Sequence, residues 1–150
     1  MTEDRPTGST RRIRLTRRVR FAASHRLFNP EFDDETNDRV FGLCNNPNGH
    51  GHNYTLEVTV EGDVDPETGM VVNLKDLKRI LADRVVTDCD HRHLNLDVPW
   101  LEGTIPTAEN LAVKFWERLA TEVGPARLHR VRVFESDDNV AEYHGESSAG

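Results

Sequence analysis

A chain of 150 residues, 36% hydrophobic and 30% charged, can bury one ordinary core and is too apolar to stay disordered. Its formal net charge of -7 argues against generic nucleic-acid binding, and it has no apolar run of the ~18 residues needed to cross a bilayer. The polar N-terminus lacks the apolar centre of a signal peptide, so the expectation is one cytoplasmic domain over residues 13–146, with flexible tails at 1–12 and 147–150.

The first expected strand is Ile13–His25, where Ile13, Leu15, Val19, Phe21 and Ala23 recur at period two. Arg17 interrupts that face. Arg11, Arg12, Arg14, Arg17, Arg18 and Arg20 crowd the same stretch. They read as a solvated or oligomer-facing surface, because an RNA-binding arm would interleave aromatic residues. A loop rich in Asn, Asp and Pro is expected from Phe28 to Gly49. A second strand follows over Asn53–Glu61, with Tyr54, Leu56, Val58 and Val60 on one face. Turn residues Asp65, Pro66 and Gly69 lead to a short strand around Met70–Val72.

Asn73 is positioned to cap a helix carrying Leu74, Leu77, Leu81 and Val85. Thr107, after Pro106, is positioned to cap a second helix with Leu111, Phe115 and Leu119, which Gly124-Pro125 ends. The last strands place Val131 and Val133 on an apolar face, turn at Ser136–Asn139, and close over Val140–Tyr143. Hairpin connections make this an α+β chain with an antiparallel sheet.

Three histidines carry the strongest chemical signal. His50 and His52 stand two apart at a strand start and project to one face, and His25 ends the first strand on the parity of its apolar residues. If the two strands pair, three imidazoles converge at one end of one sheet face. That donor set suits a catalytic Zn²⁺ with an open fourth position. Cys44, six residues before His50, is either a fourth ligand closing that metal or a thiolate base beside it. Asp90-His91 is either an acid–base pair or a helix C-terminal histidine. Glu135 ends an apolar strand face, where a carboxylate either meets solvent or accepts from a guanidine-like N–H edge such as that of a pterin or guanine. Cys89 reads as a core filler.

Together these residues resemble one family. Phe21-Ala22-Ala23-Ser24-His25-Arg26-Leu27 and Cys44-Asn45-Asn46-Pro47-Asn48-Gly49-His50-Gly51-His52-Asn53-Tyr54 are similar to the opening and the zinc signature of the 6-pyruvoyl-tetrahydropterin synthase family. Gly69–Leu74, Asp90-His91 with Leu94-Asn95, Pro106–Asn110 and Val133–Glu135 continue the likeness. It implies a tunnelling fold: a four-stranded antiparallel sheet with two helices on one face, trimers closing a β-barrel, and two trimers stacked as a hexamer with active sites between subunits. It further implies zinc on His25, His50 and His52, catalysis by Cys44, Asp90 and His91, and a pterin anchor at Glu135. Thr107 and Glu109 would stand near that pocket, and Arg26 is a candidate triphosphate contact. The reaction implied is that of a lyase converting 7,8-dihydroneopterin triphosphate to 6-pyruvoyl-tetrahydropterin. The alternatives are a 6-carboxytetrahydropterin synthase, whose cysteine loop is usually shorter, and a non-catalytic zinc- or pterin-binding protein. Neither a nucleic-acid nor a membrane partner is expected.

Overall fold

The computed structural model describes residues 11–146. Of the expected tails only Arg11 and Arg12 fall inside that range, and Arg12 already belongs to the first strand. The elements are β1 (Arg12–His25), α1 (Asp34–Phe41), β2 (His50–Asp63), α2 (Leu74–Leu81), α3 (Thr87–Cys89), β3 (Arg92–His93), α4 (Ala108–Leu119), β4 (Arg127–Phe134) and β5 (Val140–Tyr143).

The sheet order is β3-β1-β2-β4-β5. It is therefore five-stranded and mixed, a correction to the four antiparallel strands expected. The long pairs β1–β2, β2–β4 and β4–β5 are antiparallel, but β3 runs parallel to β1 through Ala23–Arg92 and Ser24–His93. No strand forms at Met70–Val72. That segment closes a turn by the Asp65 N–H to Met70 carbonyl bond, and Val71 packs by its side chain over Gly62. The Phe28–Gly49 stretch also differs from the expected loop, because α1 forms within it. Asp33 caps this helix by accepting from Thr36 N at 2.7 Å, Asp34 and Glu35 suit its first turn, and Gly42 at φ 56 ends it.

Tyr54, Leu56, Val58 and Val60 of central β2 are fully buried, and so are Leu111, Phe115 and Leu119 of α4. Each such side chain contributes about 1.5–3 kcal/mol of transfer free energy. The expected apolar face of β4 holds, with one complication. Pairing skips a residue between Thr59–Arg130 and Val60–Leu128, so His129 bulges and Leu128 shares the core side with Val131 and Val133.

The first long helix has a spacing a regular α-helix does not satisfy. Leu77, Leu81, Val85 and Cys89 are all buried and four residues apart. At 100° per residue, Cys89 would stand about 120° away from Leu77. A π turn over Ala82–Val86 joins α2 to α3 and absorbs one residue, leaving about 20° between them. Asn73 caps this helix as expected, accepting from Lys75 N. Leu74, however, is largely exposed and lies off the stripe. Arg17 projects on the core side of β1 with its Nε buried and unpartnered among the described residues, and no contact accounts for it.

Candidate active site

The β1–β2 register assembles the histidines. His25 lies directly across from His50, and Ala23 from His52, so the three side chains are nearest neighbours on one face. Their ring centroids are 4.6, 5.0 and 4.9 Å apart, and one nitrogen from each lies within 4.8 Å of the others. Tyr54 continues the row behind them, with Phe21 stacked on it at 4.9 Å. The imidazoles thus have an apolar floor.

His25 is fully buried, and its Nδ1 donates to the Pro106 carbonyl at 2.8 Å. That bond fixes the tautomer and leaves Nε2, 3.0 Å from His50 Nε2, to face the cluster. Burial pushes the His25 pKa down to about 4 against the Pro106 bond, and burial also lowers that of His50. Near neutrality both rings present lone pairs rather than charge. His50 Nδ1 and His52 Nε2 are buried without hydrogen-bond partners among the described residues. Orphaned ring nitrogens beside a pre-oriented imidazole fit a borderline-soft cation such as Zn²⁺.

A pH effect follows for the metal-free protein. Between pH 6.5 and about 4 the unfolded chain binds a proton at His25 that the fold rejects. Stability is therefore expected to fall as pH falls through that window, by about 3 kcal/mol from this residue, and to level off below it. Urea midpoints at about pH 7, 5.5 and 4 would check this. Midpoints that stay flat would contradict it.

The other candidates divide into those beside the cluster and those elsewhere. Glu135 is beside it, its Oε1 3.4 Å from His52 Nε2 without the alignment of a hydrogen bond. Asp90 and His91 are fastened to the edge of β1. Ala22 N donates to Asp90 Oδ1 at 2.9 Å, and its carbonyl accepts from His91 N at 2.6 Å. The Ala22 N–H, with the His91 ring 2.9 Å from Oδ2, holds the Asp90 carboxyl below its usual range. His91 takes a left-handed backbone at φ 60, and its side chain is 83% exposed. A cavity of about 560 Å³ is lined by His52 of the cluster, by His91, and by Ser24, Asn53 and His93 between them.

Cys44 is half-buried in a short helical turn, Gly42–Asn45, and its carbonyl accepts from Leu27 N at 2.8 Å. It is not among the metal donors grouped with the histidines. Arg26 makes three hydrogen bonds to Asn45 and stacks on Phe28, so its guanidinium secures the cysteine turn. Thr107 caps α4 through Asn110 N, next to the carbonyl that orients His25, and Glu109 is exposed in the first turn of that helix. Cys89 is buried, its thiol pushed up to about 12 mainly by burial, consistent with a packing role.

Strand parity placed Tyr54 with His50 and His52, and its hydroxyl lies 3.2 Å from His25 Nδ1. One neighbour escaped the sequence reading. Gly49, at φ 76, turns so tightly that an added Cβ would stand 3.0 Å from His93 Nε2 and 3.1 Å from the His25 carbonyl. No local pattern marked His93 as a neighbour of the cluster.

Fold and site together define an α+β domain built around a tris-imidazole centre at one end of its sheet. Residues 14–146 match the family model described as 6-pyruvoyl tetrahydropterin synthase. The human 6-pyruvoyl tetrahydrobiopterin synthase is 45% identical over 139 residues, 93% of this chain and 96% of the human protein. The Poecilia reticulata protein of the same name is 45% identical over 88% of this chain and 90% of its own length. The solved structure of Caenorhabditis elegans 6-pyruvoyl tetrahydropterin synthase superposes with a TM-score of 0.86 at 38% identity, covering 91% of this chain and 98% of that one. The chain belongs to the 6-pyruvoyl tetrahydropterin synthase family.

Proposed function

We propose that this protein is a zinc-dependent lyase that converts 7,8-dihydroneopterin triphosphate to 6-pyruvoyl-tetrahydropterin with release of triphosphate. The observation that carries the reading is the convergence of His25, His50 and His52 beside a cavity shared by His52 and the Asp90-held His91. Family membership supplies the substrate class. His25, His50 and His52 would hold the zinc, which would supply a Lewis acid toward the side-chain hydroxyls of the substrate.

The chain's own groups do the rest. Glu135, beside His52, accepts from the N–H edge of the pterin and fixes its orientation. The Cys44 thiolate removes a side-chain proton, and Arg26 holds its turn in place through Asn45. His91 carries a second proton, with Asp90 orienting its ring and stabilising the imidazolium that forms. Triphosphate departs as the leaving group. The side chain is oxidised as the ring is reduced, so the step needs no external redox cofactor.

The site is proposed to be completed between subunits, in trimers that close a barrel and stack as hexamers. Three features support assembly. The Arg12–Ala22 part of β1 has no strand on its outer side, and the edge of β5 is likewise unpaired among the described residues. Leu43, next to Cys44, is 95% exposed, and Leu96 is 78% exposed. Among the described residues no helix is long and apolar enough to cross a membrane; with two free thiols, a cytoplasmic setting is proposed.

Zinc-loaded protein incubated with 7,8-dihydroneopterin triphosphate should yield the 6-pyruvoyl product by mass spectrometry. Recovery of 6-carboxytetrahydropterin with acetaldehyde would move it to the carboxy branch. No turnover would favour a binding protein.

A further inference from the structure

The sheet face turned away from α2 and α4 carries a charge pattern that the proposed reaction does not use. On it, Glu57 and Glu61 of β2 are 2% and 7% exposed. Arginines surround both. Glu57 accepts from Arg18 at 2.7 Å and from Arg130 and Arg132 at 3.2 Å each. Glu61 accepts from Arg14 at 3.0 Å and from Arg127 at 2.9 Å, with Arg12 at 3.5 Å. Outside this pair of clusters, Glu142 of β5 lies within 3.7 Å of Arg130 and 3.2 Å of Arg132. His129 and His144 also approach these acids.

One guanidinium would neutralise each buried carboxylate. Six arginines share three carboxylates here, in a chain whose net charge is -7. Donors are in still greater surplus, since five N–H groups per arginine give about thirty donors for roughly a dozen carboxylate lone pairs. Among the described residues the buried Nε of Arg130 has no hydrogen-bond partner, and that of Arg132 lies 3.2 Å from Glu142 without the alignment of a hydrogen bond. Arg20 extends the row opposite Thr55, and no carboxylate lies within 4 Å of it among the described residues. A small cavity there is lined by Arg18, Arg20, Asn53, Thr55, Phe134, Ser136 and Asp137.

We infer that this face is a binding site for a polyphosphate anion. Guanidinium forks match phosphate oxygens bidentately. The cross-strand rows Arg14–Glu61–Arg127 and Arg18–Glu57–Arg132 are four residues apart along β1, with Thr16–Thr59–Arg130 between them. Successive same-face rows are about 7 Å apart. The two arginine–glutamate rows are thus about 14 Å apart with the Arg130 row between them, so a chain of linked phosphoryl groups bridges neighbouring rows such as those of Arg130 and Arg132, whereas an isolated phosphate reaches one. The acids set the geometry, because each holds its arginines side by side, and the side chains of Arg14, Arg18 and Arg127 stay largely exposed. The inference does not rest on the proposed reaction. In the proposed barrel, three such faces would meet in one lumen and the surplus would triple.

Calorimetric titration with inorganic triphosphate, in about 0.15 M salt to screen diffuse attraction, tests it. Triphosphate is expected to bind at least about tenfold tighter than orthophosphate. His50→Ala protein should bind it equally well. Arg20→Gln, which breaks no ion pair, should weaken binding at least about threefold, and Glu57→Gln, which frees three guanidiniums, should tighten it. Should Glu57→Gln be too unstable to titrate, triphosphate should raise its melting temperature more than that of the parent. Equal affinity for triphosphate and orthophosphate would overturn the inference. So would loss of binding in His50→Ala, which would place the anion at the histidine centre. Indifference to both Arg20→Gln and Glu57→Gln would reduce the arginines to neutralising buried acids. Displacement of triphosphate by single-stranded RNA at lower phosphate concentration would assign the face to nucleic acid instead.

Discussion

Replacing His50 by alanine is expected to lower zinc affinity by at least about a hundredfold and to remove turnover with it. The three imidazoles are the only group of three metal donors gathered within 4.8 Å among the described residues, and the neighbouring carboxylate, Glu135, is proposed to hold the substrate. His50 also sits near the start of β2, where truncation deletes little of the core. The folded protein should therefore persist, with a circular dichroism spectrum like the parent's. Chelator competition and metal analysis of the folded variant measure the effect. Zinc retained at parental affinity would remove the histidine cluster from consideration as the metal centre.

Cys44→Ala should behave in the opposite way, keeping its zinc and losing about 10²–10⁴ in kcat, the range for deleting a general base. The thiol stands outside the donor cluster, in a turn held by Arg26 and by the Leu27 N–H. Single-turnover kinetics with zinc quantified in the same sample separate the two effects. A fall in zinc affinity comparable to that of His50→Ala would instead make Cys44 a fourth ligand and the site structural. Cys89→Ser serves as the control for thiol chemistry, since that sulfur is buried and its pKa raised. Its activity per folded molecule should match the parent's.

Much of the site was legible because strand parity is short-range information. His50, His52 and Tyr54 alternate onto one face whatever else the chain does, and pairing with β1 supplied the rest. The caps Asn73 and Thr107 were legible for the same reason, since a capping oxygen acts within three residues of itself. The misses have nonlocal or competing causes. β3 is only Arg92–His93, and its pairing is defined by β1 rather than by any pattern of its own. Asp33-Asp34-Glu35-Thr36 carries a valid start signal for α1, but the surrounding Asn, Asp and Pro residues favoured a loop reading. Met70–Val72 has strand-like composition, yet Gly62 offers a groove that Val71 fills by side-chain packing without a ladder. The Arg26 guanidinium found a neighbour, Asn45, that no spacing rule would have paired with it.

The π turn at Ala82–Val86 bears on how long this chain has to be. It holds one residue more than a regular helix would need to connect Leu77 to Cys89 with the same facing, since eleven α-helical steps bring the two within about 20°. Loss of one residue there would let the helix close into ordinary turns and still present Asp90 to Ala22. A residue lost elsewhere between Asn73 and Asp90 would have to be compensated across the π turn, with side chains between the two points changing faces. The wide turn is thus where this domain can shorten by a residue while both flanks keep their places. A shorter relative aligned here should show its gap within these five positions.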